Sequence, residues 1–376
     1  MPQSGAQSSH LPPEPRMTTN DDDALRAPFR DWLARRWPDV TELELGAFRM
    51  PKSGFSARTI FVPLTYRRGG QRVERQVVLR IENPEPAIYP QQAPGLDVEI
   101  DIQYRSMQAL IATGKVPLAP LVGYEADASI LGQPFFAMDF VQGDLMTESP
   151  PYTEAGFFFE ASPDLRRRII KRGLETVATF HTIDWRAAGF DWLVAPGESP
   201  TVERQIDIWE GYMRRELGER EHPDFDLGVA WLRRHLPTDL APSLSWGDSR
   251  PGNILFDGDR VLCITDFENI AVAPKEIDLG WWLLFDRTMH ESIGQARLPG
   301  EPTRQEQREL YAEAAGIKVP DTFYYELLAG VRYAAIVVRV MNRLVARGVL
   351  PADQIIWREN PAAAALKQIL AKGGIA

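Results

Sequence analysis

Cysteine is nearly absent. Cys263 is the only one among 376 residues, so no internal disulfide can form, and its place in an apolar run suits a reducing compartment such as the cytoplasm. Histidine is scarce too, five in all, without H-E-x-x-H or similar spacing, which argues against zinc chemistry. No uncharged apolar run reaches the ~18 residues that a membrane span needs. Positive charge is short by ten, which argues against a nucleic-acid partner, and the run Arg166-Arg167-Arg168 reads as a solvated helix face. The first 20 residues are polar and Pro/Ser-rich with no apolar segment, so residues 1–23 read as a disordered tail rather than a signal peptide, with Met17 as an alternative start.

What is present describes a soluble globular chain long enough for about two domains or lobes, with 44% hydrophobic and 25% charged residues. Leu25, Phe29, Leu33 and Trp37 recur at helical spacing and predict a helix over 24–36. Strand-type residues follow over 43–50, 59–66 and 73–81, with Gly69-Gly70 turning between the last two. Further helices are predicted over 96–113, 163–182, 304–315, 321–347 and 361–372.

The richest stretch is LSWGDSRPGNILFDGDRVLCITD, residues 244–266. Its apolar runs 254–256 and 261–264 flank Asp257-Gly258-Asp259-Arg260, a strong hairpin signal. Counting outward from the turn brings Asn253 and Asp266 to the same open end, where cross-strand neighbours lie ~5 Å apart. A carboxylate and an amide carbonyl facing one point are what Mg2+ takes from protein when phosphate and water supply its other ligands. Asp248, five residues before Asn253, would sit beside such an ion rather than on it.

The order D-x-x-x-x-N, then D-F after a short hairpin, resembles the catalytic loop and metal-binding Asp of the protein-kinase-like fold. The forms W-G-D-S-R-P-G-N-I-L-F, D-F-E and E-I-D-L-G-W-W resemble the aminoglycoside phosphotransferase and choline kinase branch in particular. The resemblance implies an α+β, two-lobed protein-kinase-like fold: an N-lobe over 24–141 with an antiparallel sheet and a helix, and a larger, mainly helical C-lobe over 142–376. It implies ATP and Mg2+ as cofactors and a small-molecule hydroxyl as acceptor, with Asp248 as catalytic base and Asn253 and Asp266 as metal ligands.

The same resemblance distributes further roles. Ser53, Gly54, Phe55 and Ser56, in a small-residue turn between two strands, take the place of the loop that lays backbone N–H groups on phosphate, though without the downstream motif an ordinary hairpin turn is the favoured reading of them. Arg80, ending the strand V-V-L-R-I, stands where the fold keeps its phosphate-binding cation. The helix that should carry the acid orienting that cation has Gln103 at the matching position, with Glu99 one turn earlier, and the sequence does not choose between them. Met138, Asp139, Phe140 and Val141 form the strand and hinge expected at adenine. His181, Trp246, Arg250 and Asp278 are expected to support the catalytic loop, Trp246 standing where the branch commonly has His. Glu268 is expected as a metal or acceptor contact. A nucleotide-binding pseudokinase or ligand-binding module without transfer, and a metal-dependent phosphohydrolase, stay open as other readings. Nothing in the sequence decides the acceptor or the oligomeric state.

Overall fold

The structure, a computed structural model, describes residues 19–51, 56–238 and 240–375. Its amino-terminal half is built on a five-stranded antiparallel sheet of order β1-β2-β3-β5-β4, with β1 Val40–Leu45, β2 Arg58–Arg68, β3 Gln71–Ile81, β4 Leu121–Glu125 and β5 Phe135–Asp139. Alternation makes this sheet two-faced. Ile60, Val62 and Leu64 of β2 and Val77, Leu79 and Ile81 of β3 point to one side. There α1, Thr19–Arg36, covers them with Phe29, Trp32 and Leu33. Gly69 and Gly70 both have positive φ, 57° and 80°, the two-residue turn that matches strand twist, and Arg68 pairs with Gln71 across it.

Two boundaries differ from expectation. α1 begins at Thr19 rather than at residue 24. β1 ends at Leu45 rather than near Met50. The next partner along β2 is Pro63, which has no N–H to continue the ladder, and after the Gly46 N–H bond to its carbonyl only an isolated Arg49–Phe61 bridge remains.

α2, Glu99–Thr113, crosses behind the sheet, and the short α3, Ala128–Leu131, precedes β5. Ile100, Met107 and Leu110 of α2 and Phe136 of β5 join a core that continues into the carboxy-terminal half. That half opens with α4 Phe157–Glu160 and α5 Pro163–Phe180, the latter capped by Ser162 Oγ, followed by α6 Val202–Leu217 and α7 Pro223–Arg234. Two small hairpins come next. β6 Pro242–Ser245 pairs with β9 Ala271–Pro274, and β7 Ile254–Asp257 pairs with β8 Arg260–Ile264. α8 Glu276–Met289, α9 Arg304–Ala315, α10 Phe323–Ala346 and α11 Pro361–Lys372 complete the half. α10 is the axis of a second core shared with α6, α7, α8 and α11. Among the described residues no helix is long and apolar enough to cross a membrane.

Residues 82–98 strap the two halves together. The carbonyls of Pro86 and Ala87 accept from Arg339, the Ile88 carbonyl accepts from Tyr212 OH, and the Gln92 carbonyl accepts from Arg204.

Candidate active site

The loop between β6 and β7 is shaped from beneath by Asp278, in the first turn of α8. Its Oδ2 accepts from the Trp246 N–H at 2.7 Å and from His181 Nε2 at 2.9 Å; its Oδ1 accepts from Ser245 Oγ and the Gly247 N–H, both at 2.9 Å. Burial alone would raise this carboxyl, but the bonds from His181, Gly247 and Ser245 hold it below the ordinary carboxylate range. His181 is steadied on its other nitrogen by Tyr311 OH, 2.8 Å away. Gly247 is obligatory: its φ is +85°, and a Cβ there would lie 1.8 Å from the Asn269 carbonyl.

On that base Asp248 is held by four hydrogen bonds. Oδ1 accepts from Trp281 Nε1 at 2.6 Å and Arg250 Nε at 3.0 Å; Oδ2 accepts from Asn253 Nδ2 at 2.7 Å and Arg250 Nε at 3.1 Å. Asn253 Nδ2 also donates to the Asp248 carbonyl at 2.9 Å, which commits its nitrogen and leaves the amide oxygen as its remaining polar atom. Arg250 also pairs with Glu148 and lies over the Phe285 ring at 5.0 Å.

Across the second hairpin, Ile254 pairs with Ile264 and the Thr265 N–H donates to the Asn253 carbonyl, so Asp266 follows one residue past Asn253's partner. Its φ is +67°, a left-handed conformation that side chains other than glycine rarely adopt. The Trp246 indole holds it there, donating to the Thr265 carbonyl at 3.0 Å and the Asp266 carbonyl at 3.1 Å. Asp266 Oδ1 is buried with no hydrogen-bond partner, and burial followed by the charge of Asp248 raises this carboxyl above its usual range.

Residues 51–310, more than half of the chain, match the phosphotransferase enzyme family. The chain belongs to that family. Curated relatives include mouse acyl-CoA dehydrogenase family member 10, 26% identical over 72% of this chain and 25% of the relative. Chicken acyl-CoA dehydrogenase family member 11 is 26% identical over 81% of this chain and 38% of its own length. This chain therefore spans well under half of the curated relatives it matches. Among solved structures, a provisionally assigned aminoglycoside phosphotransferase from Ralstonia eutropha aligns with a TM-score of 0.65 at 24% identity, covering 92% of this chain and 98% of that one. An aminoglycoside 2′-phosphotransferase in a GDP complex aligns at 0.58 and 16% identity, covering 93% and 100%. The fold is thus the α+β, protein-kinase-like one that this phosphotransferase family uses.

Other expected residues of this family member fall as follows. Ser53, Gly54 and Phe55 lie outside the described residues. Ser56 Oγ, Arg80 Nη2 and Gln103 Nε2 meet on Glu268 Oε1, at 2.5, 2.8 and 2.7 Å. Glu268 is therefore engaged with Arg80 through Oε1. Glu99, one of the two candidates left open on α2, is its first residue; its side chain points back along the helix, and its Oε1 accepts the Ile88 N–H at 2.8 Å. In the hinge, the Asp139 N–H donates to the Pro120 carbonyl and the Phe140 N–H to the Gln76 carbonyl, so neither N–H is left for adenine. The Asp139 carboxylate is paired with Arg75. Met138 and Val141 pack half-buried on the core that joins the halves.

Three contributors escaped the sequence reading. Trp281 follows Asp278 by three residues on α8, the spacing that puts both on one helical face, and that was a usable signal. Arg332 is a lone cation in an apolar stretch of α10; it lies between the rings of Trp209 and Trp281, donates to the Gly247 carbonyl at 2.8 Å, and is pulled down to about 10 by burial. Tyr89, on the strap, is pushed well up by burial and by the charges of Asp248, Asp266 and Glu268. No spacing rule marks it.

Proposed function

We propose that this chain transfers the γ-phosphoryl group of ATP to a hydroxyl of a small molecule, with residues 24–141 as the nucleotide lobe and 142–376 carrying the acceptor side. The observation that supports this best is the Asp248–Asn253 pair beside Asp266: one carboxylate oriented by three side chains, next to a second whose oxygen has no partner. Phosphoryl transfer asks a protein mainly for positioning and charge neutralisation. Trp281 and Asn253 hold the Asp248 carboxylate by short bonds, whereas Arg250 shares one N–H between both oxygens at 3.0 and 3.1 Å, and this is the bond that an incoming hydroxyl would replace. Asp248 then accepts or orients the hydroxyl proton.

Mg2+ fits the remaining donors, since both are hard oxygens and Asp266 Oδ1 is buried without a hydrogen-bond partner. Asn253 and Asp266 would hold it, and when bound it supplies positive charge against the transferring phosphate. The free N–H groups of Arg80 would face phosphate; its Nε is buried without a protein partner.

Beside Asp248 the walls are aromatic. Trp281, Phe285 and Tyr333 pack on one another with centroids 5.2 to 6.1 Å apart, and Glu148 is already paired with Arg250. A polycation would want unpaired acids there, so an acceptor with an apolar body suits the site better. The acyl-CoA dehydrogenase family names of the curated relatives add hydroxylated acyl compounds to the amino alcohols, sugars and aminoglycosides to be tried.

One observation favours a protein that binds nucleotide without transfer: both oxygens of Asp248 already accept from protein donors. ATP consumption with Mg2+ across these acceptor pools separates the readings. Acceptor-stimulated turnover that vanishes in Asp248→Asn supports transfer. Stabilisation by Mg-ATP with no turnover in any pool supports binding alone.

A further inference from the structure

Resting on the nucleotide reading above, the geometry points to Glu268 as the acid that orients Arg80, a positioning residue supplied by the loop after Asp266 in place of one on α2. Three segments converge on a single oxygen: Arg80 from β3, Gln103 from α2 and Ser56 from the turn before β2 all donate to Glu268 Oε1, at 2.8, 2.7 and 2.5 Å. An oxygen that accepts three hydrogen bonds has no lone pair left for a cation, so Oε1 serves Arg80 rather than a metal. Side-chain exposure is 16% for Arg80 and 1% for Glu268, so the pair lies out of the reach of solvent screening that weakens surface ion pairs.

Gln103 completes the logic. An acid at 103 would meet Glu268 as one buried carboxylate against another; the amide turns the same position into a donor. Acid on the loop and amide on the helix are thus the two halves of one exchange, and the guanidinium keeps a defined orientation with Nε unpartnered. Placing the acid two residues after Asp266 also ties Arg80 to the loop that carries the proposed metal ligand.

The test is the ADP dissociation constant, by calorimetry with and without Mg2+, of wild type, Glu268→Gln, Gln103→Glu and the double variant, with a melting temperature for each. Without divalent cation, Glu268→Gln is expected to weaken ADP about tenfold, as loss of a charge-assisted bond would. Gln103→Glu alone also weakens it, by setting two acids together. The double variant, which moves the acid to the helix, is expected to return within about threefold of wild type. A Glu268→Gln effect seen only with Mg2+ would make Glu268 a metal ligand and overturn the proposal, as would a double variant that melts like wild type yet binds no better than Glu268→Gln. Should a charged variant fail to fold, Gln103→Ala keeps the acid and buries no new charge; a weakening of about threefold supports the cluster and no change counts against it. If wild type does not bind ADP under either condition, the nucleotide reading itself fails, a result distinct from binding that ignores Glu268.

Discussion

Asp278→Asn should cost this protein about 3–5 kcal/mol of stability although it changes one atom. Each carboxylate oxygen accepts one backbone N–H, from Trp246 on Oδ2 and from Gly247 on Oδ1. Whichever way an amide turns, its NH2 therefore faces a buried backbone N–H, donor against donor, at an acceptor site 2.7 or 2.9 Å away. At least one backbone bond is lost in either orientation, because Ser245 Oγ and the His181 ring can turn acceptor but an N–H cannot, and the negative charge that strengthens the remaining bonds is lost with it. An unmade buried bond costs ~1–3 kcal/mol, more where a charge was involved, which gives the range above. Urea unfolding followed by tryptophan fluorescence measures it directly. The pH dependence carries a sign as well. The folded carboxyl lies below its ordinary value, so its contribution is fully present above the unfolded pKa, ~3.8, and is lost as pH falls through the folded one. The gap between wild type and variant should therefore be constant above about pH 5 and close below ~3.8. A loss under ~1 kcal/mol at neutral pH, or a gap that widens on acidification, would refute the assignment of Asp278 as the ionised acceptor under the loop.

Other outcomes follow from the same site. Trp281→Phe removes the indole N–H from Asp248 while keeping an aromatic body, and should lower kcat ~10- to 100-fold with KM for Mg-ATP within about threefold; a change confined to KM would place Trp281 at the nucleotide instead. Asp266→Gly should abolish turnover yet raise the stability of the ligand-free protein by about 1–2 kcal/mol, since it relieves a left-handed residue and a buried unpartnered carboxylate; denaturant unfolding that shows destabilisation would argue that Asp266 is not strained. Burial pushes the Cys263 thiol up to about 11, so iodoacetamide at pH 8 should leave the folded protein unmodified and react fully in denaturant, as mass spectrometry would show; rapid labelling of the native state would contradict its buried place in β8.

How much of this was legible depended on whether the signal was local. The hairpin 254–264 was readable because Asp-Gly chemistry and two apolar runs sit within eleven residues, and Asn253 and Asp266 came with it. Periodicity gave α9 and α11 at their observed bounds, since an amphipathic stripe is written in the helix itself. The partner of Arg80 was not legible, because Glu268 is 188 positions away and sequence spacing speaks only of neighbours along one element. The choice on α2 stayed open for a related reason: Glu99 and Gln103 share a helical face, but their positions along the axis send one to the strap and the other to Glu268. Arg332 was visible as a cation among apolar residues, yet only the fold supplies the two indoles around it.

Trp246 shows why a motif departure need not be a loss. A histidine at that position would offer a ring nitrogen; the indole offers one N–H on a larger body, which fills the space against Phe180 and Phe267 and shares its hydrogen between two consecutive carbonyls. Its own backbone N–H rests on Asp278, so a chain of direct bonds runs from α8 through Trp246 to the backbone of Asp266. One turn along α8, Trp281 bonds Asp248. The two carboxylates of the site are thus set by one helix, Asp248 directly and Asp266 through the loop between β6 and β7. A rigid shift of α8 would move both together and preserve their relation, whereas a change at Trp246 would displace Asp266 alone. Nucleotide affinity measured with Mg2+ should accordingly respond more to Trp246→Phe than to Trp281→Phe.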